Sequence, residues 1–227
     1  FGNGAAMRVS AAGFAAKSLE EAKMLSEKVT AVTHNHPEGI KGAEATAVAI
    51  YMAKTGSSIL EIRDYIDKNY YKIDFTLDEI RDTYQFQETV PQALEAFFES
   101  ISFEDAIRNA ISIGGDSDTL AAICGGIAEA YYGIPSDIRK HALTFLDERL
   151  MQILIVFENK YPPVMEKKIG DVSVPISRKI TRKVKGDNRE AIIEDAVKAA
   201  DDDITESENV AEETTSQQLF NHLFEAC

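Results

Sequence analysis

Gly114-Gly115-Asp116-Ser117-Asp118-Thr119 separates two segments of different apolar pattern, and its reading decides how the rest of the chain is organised. Residues 103–113 before it are amphipathic. Residues 120–132 after it are almost wholly apolar and rich in Ala, Gly and Ile, the composition of a helix buried on every side. The paired glycines let the backbone turn where a Cβ would clash, and the next four residues crowd oxygen-bearing side chains onto one helix N-terminus. This admits two readings. Asp, Ser and Thr are ordinary capping residues, and one carboxylate there needs no metal. Two aspartates and a threonine exceed what one cap uses, however, and they form the hard-oxygen set that Mg²⁺, Mn²⁺ or Ca²⁺ prefers.

Working outward, Ser18 with Glu21, Ser58 with Glu61, Thr76 with Glu79 and Ser102 with Asp105 repeat a capping signature ahead of helical apolar stripes. The first stripe, Leu19, Ala22, Leu25, Val29 and Val32, stops at His34-Asn35-His36-Pro37, because a residue before proline disfavours the α region. Residues 40–54 form the next helix, with the small residues Ala43 and Ala47 marking close packing. Residues 92–99 form another behind Pro91. Ile138, Ala142, Phe145, Leu146, Ile153, Leu154 and Phe157 mark one long helix ending before Pro162-Pro163. Residues 1–8 read as a loop in which Gly2 and Gly4 permit positive φ and close approach of a ligand. No period-2 strand pattern precedes residue 165. The expected fold is all-α, a compact orthogonal multi-helix domain over residues 1–163 followed by a charged tail over 164–227.

Length and charge narrow the function. The 227 residues suffice for one sizeable core plus an appendage. The formal net charge of −14 is uneven: residues 1–165 hold 15 basic and 24 acidic residues, residues 166–185 hold 7 and 2, and residues 186–227 hold 2 and 12. An acidic domain argues against nonspecific nucleic-acid binding. Cys124 and the terminal Cys227 form no disulfide framework, there is no long apolar run for a membrane, and no signal-peptide layout. The expectation is a cytoplasmic protein. The tail is basic and β-branched over 172–185, weakly helical over 189–200 and polar over 201–216, a composition expected to be mostly disordered. Leu219, Phe220, Leu223 and Phe224 then make an apolar patch able to dock on the domain or on a partner. The chain starts at Phe1 within a Gly-rich run, so further sequence upstream is expected.

His34 and His36 invite a zinc reading, but no third ligand is spaced to join them. Either one imidazole faces a ligand or both close the helix before them.

Phe1-Gly2-Asn3-Gly4-Ala5-Ala6-Met7-Arg8, Thr33-His34-Asn35-His36-Pro37-Glu38-Gly39-Ile40-Lys41-Gly42-Ala43, Val90-Pro91-Gln92-Ala93 and the Gly114–Thr119 block with Ala121, Ala122 and Gly125 occur in the order seen in ADP-ribosylglycohydrolases. The chain resembles that family, of the dinitrogenase-reductase-activating type, over residues 1–165. The resemblance implies an all-α hydrolase that holds two divalent cations, Mg²⁺ or Mn²⁺, and releases ADP-ribose from a protein or small-molecule acceptor. It implies Asp116, Asp118 and Thr119 as metal ligands, and Gly2, Asn3, Gly4, Ala5, Met7 and His34 as lining of the ADP-ribose cleft. Main-chain amides over residues 2–5 would suit phosphate or ribose oxygens.

Two departures qualify that reading. The family's first metal cluster, a Thr-Asp-Asp run, and its acid/base carboxylate lie upstream of the Gly-Asn-Gly loop, so no catalytic residue is assigned in this chain. The segment before Val90-Pro91 is also short. A centre with one ligand cluster is expected to hold metal only in part and to hydrolyse poorly. The alternatives are a non-catalytic ADP-ribose-binding or helical scaffold remnant, and a split enzyme completed by another chain.

Overall fold

A computed structural model describes residues 3–81 and 89–164. Every regular element among them is a helix: α1 (Gly4–Met7), α2 (Ser10–Ala15), α3 (Leu19–Thr30), α4 (Pro37–Lys54), α5 (Ile59–Asn69), α6 (Leu77–Ile80), α7 (Thr89–Phe98), α8 (Phe103–Ser112), α9 (Ser117–Tyr132), α10 (Ser136–Leu143) and α11 (Glu148–Lys160). The fold is all-α, as the sequence leads one to expect. The capping signatures act where they were read. Ser18 Oγ accepts from Glu21 N at 3.0 Å, Ser58 and Glu61 form a reciprocal capping box, Thr76 N donates to Glu79 Oε2 at 2.8 Å and Ser102 Oγ accepts from Asp105 N at 3.1 Å. Each satisfies amides that the first helical turn leaves without partners.

The core is built on α4 and α9. Ala43, Ala45, Ala47, Val48, Ala49 and Ile50 of α4 are wholly buried, as are Leu120, Ile123, Cys124, Ile127, Ala128 and Ala130 of α9. Helices α1, α2 and α3 pack on α4, and α7 and α8 pack on α9. Small residues set how closely they approach. A Cβ on Gly13 of α2 would lie 2.7 Å from Ala47 O of α4, and one on Gly126 of α9 would fall on Ser10 of α2. One on Gly125 would lie 2.9 Å from Ile107 Cδ1 of α8. Phe97 of α7 meets the rings of Tyr131 and Tyr132 edge-on, at 5.6 and 6.2 Å between centroids, and Tyr132 OH donates to Ser100 O at 2.8 Å.

Four local expectations are corrected. Residues 4–7 form a helical turn instead of a loop, closed by Met7 N donating to Asn3 O at 3.3 Å, and Gly4 is not among the positive-φ glycines. Helix α3 ends at Thr30. Its core stripe is Ala22, Ser26 and Thr30, so Val29 and Val32 are exposed, at 54% and 80%. His36 caps the helix after it: its Nδ1 accepts from Glu38 N at 3.2 Å, and Pro37 occupies the first turn, where its missing N–H costs nothing. Finally, the long helix of residues 138–157 is two helices. Thr144, Phe145 and Leu146 close α10 with tight three-residue-back bonds, and Asp147 Oδ1 then caps α11 by accepting from Leu150 N at 2.8 Å. Arg139 Nη2 donates to both carboxylate oxygens of Glu158, the longer bond 2.6 Å, and joins the two.

One pair of ionisable side chains is buried within this core. Arg63 Nη1 of α5 meets Glu95 Oε2 of α7 at 2.7 Å, with the two side chains 9% and 3% exposed, and the guanidinium also covers the Phe98 ring. Burial pushes the Glu95 carboxyl up, to about 8, against the opposing pull of Arg63, and Glu99 adds to the rise. Residues 165–227, including Leu219, Phe220, Leu223 and Phe224, lie outside the described residues, as do residues 82–88.

Two outcomes are expected. Gly126→Ala lowers the unfolding free energy by about 1–3 kcal/mol in urea titrations in spite of its better helix propensity, and adding Ser10→Ala recovers part of the loss. Between the ordinary Glu value of 4.5 and about 8, the folded chain keeps a proton on Glu95 that the unfolded chain releases. The stability this group contributes is whole below 4.5 and declines as pH rises. The Tm of Glu95→Gln relative to wild type therefore increases from about pH 5 to about pH 8.

Candidate ligand and metal site

Helix α9 enters the core through Gly114 and Gly115, at φ 85° and 62°. No atom lies within 4 Å of a Cβ built on Gly114, so the left-handed backbone, not crowding, requires glycine there. Asp116 comes next at the N-cap position, yet its side chain makes no capping hydrogen bond. The Asp116 side chain, with the main-chain N–H groups of Thr119 and Asp118 itself, holds the Asp118 carboxyl below the usual carboxylate range. Asp118 is solvent-exposed and Asp116 half-buried, whereas Thr119 is buried.

Thr119 connects this cluster to the other end of the sequence. Its hydroxyl donates to Met7 Sδ at 3.7 Å, a weak acceptor, which places α1 beside the start of α9. Asn3, ahead of α1, donates from Nδ2 to Thr89 Oγ1 at 2.8 Å and ties the same turn to α7. Ala5 is turned inward against Val9, Ala12, Ala43 and Ala47, so only its main chain is left to meet a ligand. A Cβ on Gly4 would stand 3.1 Å from both the Arg8 guanidinium and His34 Cε1. The glycine is there for close approach.

His34 reaches this turn from the connection between α3 and α4. Its Nδ1 lies 2.8 Å from Thr33 Oγ1 and 3.4 Å from Arg8 Nη2, while Arg8 Nε donates to Gly4 O at 2.6 Å. The fold thus gathers Asn3, Gly4, Met7 and His34 on one turn and sets Met7 against Thr119. Gly2 lies outside the described residues. Arg8, Thr33 and Thr89 join the cluster without having been singled out from the sequence. Arg8 and Thr33 stand next to residues that were, but nothing local marks Thr89 as Asn3's partner 86 positions away.

The donor set at residues 116–119 fits a hard cation in kind, since two carboxylates drawn together gain from positive charge between them. It supplies two carboxylates and one hydroxyl, short of the six or more oxygens such ions take. Among the described residues no group of three or more His, Cys, Asp or Glu side chains is gathered for a metal ion. None of their helices is long and apolar enough to cross a membrane.

Residues 1–162 match the profile of the ADP-ribosylglycohydrolase family. With the all-α fold and the order of the motifs, that match places the chain in this family. Relatives include an uncharacterized protein of Archaeoglobus fulgidus, 29% identical over an alignment of 147 positions that covers 56% of this chain and 48% of the relative. ADP-ribosylhydrolase ARH3 of Mus musculus is 23% identical over an alignment of 184 positions that covers 59% of this chain and 50% of the relative. ADP-ribosylarginine hydrolase Tri1 of Pseudomonas putida is 30% identical over an alignment of 145 positions that covers 59% of this chain and 39% of the relative. The chain spans about half the length of these relatives, or less.

A capping role and a ligand role for Asp116 make different demands on stability. Ser18→Ala, which removes a working cap, costs about 1 kcal/mol. Asp116→Ala is expected to change the metal-free unfolding free energy by less than about 0.5 kcal/mol, as measured by urea titration in chelator.

Proposed function

We propose that this chain carries the ADP-ribose cleft and one ligand cluster of a glycohydrolase that cleaves the N- or O-glycosidic bond of ADP-ribose. The single observation that supports it most is the meeting of Met7 on α1 with Thr119 at the head of α9, 112 positions apart in sequence. It sets the glycine turn beside the acidic cluster, so a sugar over the turn would have its hydroxyls near the carboxylates. Asp116, Asp118 and Thr119 would hold Mg²⁺ or Mn²⁺, and a bound cation supplies Lewis-acid charge at the ribose hydroxyls. The chain's own residues do the positioning. Gly4 leaves the main chain open to a ligand, Asn3 and its bond to Thr89 fix the turn, and His34 offers an imidazole edge at the same place. Hydrolysis forms a bond from water oxygen to C1″ of the ribose and breaks the bond from C1″ to the acceptor, which leaves with a proton.

Turnover by residues 1–227 alone is proposed to be poor, because no acid/base residue is assigned among them and the cluster is short of ligands. The absence of a larger ligand group among the described residues favours a second reading: a module that binds ADP-ribose without cleaving it. An ADP-ribosylated protein or an ADP-ribose-containing small molecule is the partner in both.

Calorimetry tests the ligand assignment, and a turnover assay separates the two readings. ADP-ribose is expected to bind more tightly with Mn²⁺ than in chelator, and Asp118→Asn to weaken Mn²⁺ binding at least tenfold with an unchanged far-ultraviolet circular dichroism spectrum. Unchanged Mn²⁺ affinity would overturn the ligand assignment. Release of ADP-ribose from modified arginine or serine above the rate of Asp116→Asn would overturn the expectation of poor turnover.

A further inference from the structure

Helix α11 is apolar almost all round. From Leu150 to Phe157 every residue but Gln152 is apolar, a pattern that belongs to a helix enclosed on every side. Yet no residue of α11 is buried. Phe157 packs against the core, whereas Leu150, Ile153 and Val156, spaced by three along the helix, are left 49%, 57% and 71% exposed. Helix α10, joined to α11 by the Arg139–Glu158 bonds, offers the complement. Asp137, Ile138, His141, Ala142 and Phe145 line a shallow groove of about 460 Å³. Ile138, His141, Ala142 and Phe145 stand at i, i+3, i+4 and i+7, the spacing of the four residues that form a hole for a side chain of a facing helix. The small Ala142 leaves its centre open, and the rings of His141 and Phe145, edge-on at 5.1 Å between centroids, bound it.

We propose that this surface pairs with a second copy of the chain, the ridge of Ile153 and Val156 on α11 of each copy entering the hole on α10 of the other. Ridge and hole belong to the same chain, so one two-fold axis fills both holes at once and closes the assembly at two copies. The area supports a second copy. Phe145, 75% exposed, with Leu150, Ile153 and Val156 leaves roughly 500 Å² of apolar side chain open per copy, so two copies cover about 1,000 Å² before any polar rim is counted, the size at which specific association begins. The charge supports it too. In a chain of net charge −14, residues 136–160 hold four acidic and four basic residues, so two copies meet here without the like-charge repulsion that opposes contact elsewhere. A strongly acidic or basic partner finds no opposite charge on this face. None of these residues belongs to the glycine turn or the acidic cluster, so the pairing stands whether or not that site binds ADP-ribose.

Sedimentation velocity of the full chain 1–227 from about 1 to about 200 µM is expected to show the mass rising from one copy to two. Val156→Glu sets a carboxylate against apolar groups and is expected to raise the dissociation constant about tenfold or more. Ala142→Lys fills the hole and is expected to do the same. Both positions are exposed, so the far-ultraviolet circular dichroism of the single copy stays unchanged. Leu60→Glu, at a residue of α5 that is 63% exposed, is expected to leave the constant within about twofold. Hydrogen–deuterium exchange over residues 136–160 slows as concentration rises in wild type and does not in Val156→Glu. A wild type that stays a single copy throughout, as when another segment or protein covers this face, would overturn the pairing. A dimer that survives either Val156→Glu or Ala142→Lys would overturn it as well, as would a mass that climbs past two copies, the mark of an open head-to-tail contact.

Discussion

A helix buried along its length leaves its first turn as the place where polar side chains can gather, and α9 is built under that constraint. From Leu120 to Tyr132 its inward positions are apolar, so its oxygen-rich surface lies at the N-terminus, behind two glycines in left-handed backbone. The same burial fixes where that terminus sits. Gly125 and Gly126 let α8 and α2 close on α9 at distances a Cβ would forbid, and α1 is carried with α2 to the head of the helix. The acidic cluster and the glycine turn are neighbours because the middle of α9 admits no slack.

Most of the helical framework could be read from the chain because its signals are local. A serine or threonine three residues before an acid is a complete device for starting a helix, and four of them work as read. What escaped was decided by neighbours. Val29 and Val32 continue an apolar stripe in sequence, but packing on α4 selects the small residues Ala22, Ser26 and Thr30. Phe145 and Leu146 look like helix interior until Asp147 is recognised as a cap. Gly4 was given a conformational role because glycine can adopt positive φ, whereas its actual constraint is space beside Arg8 and His34.

The site divides along the same line. Asp116, Asp118 and Thr119 are adjacent in sequence, so their clustering was visible at once. The contacts that surround them, Met7 with Thr119 and Asn3 with Thr89, join residues whose separation conceals them. Asp116 is instructive: its residue type and position both say cap, yet its side chain makes no capping hydrogen bond. Charge in the core obeys a different logic, for the Arg63–Glu95 pair faces the interior, where Arg63 Nε has no partner among the described residues.

The pair α10 and α11 differs from the other helices in having no buried residue. Phe145, Leu150, Ile153 and Val156 are all exposed, so detaching the pair forfeits little hydrophobic burial. Its backbone amides should exchange with solvent deuterium through small local openings, while those in the middle of α9 await global unfolding. The molecule is thereby graded, its most protected hydrogens lying directly behind the acidic cluster and its least protected ones at the far end of the helical region.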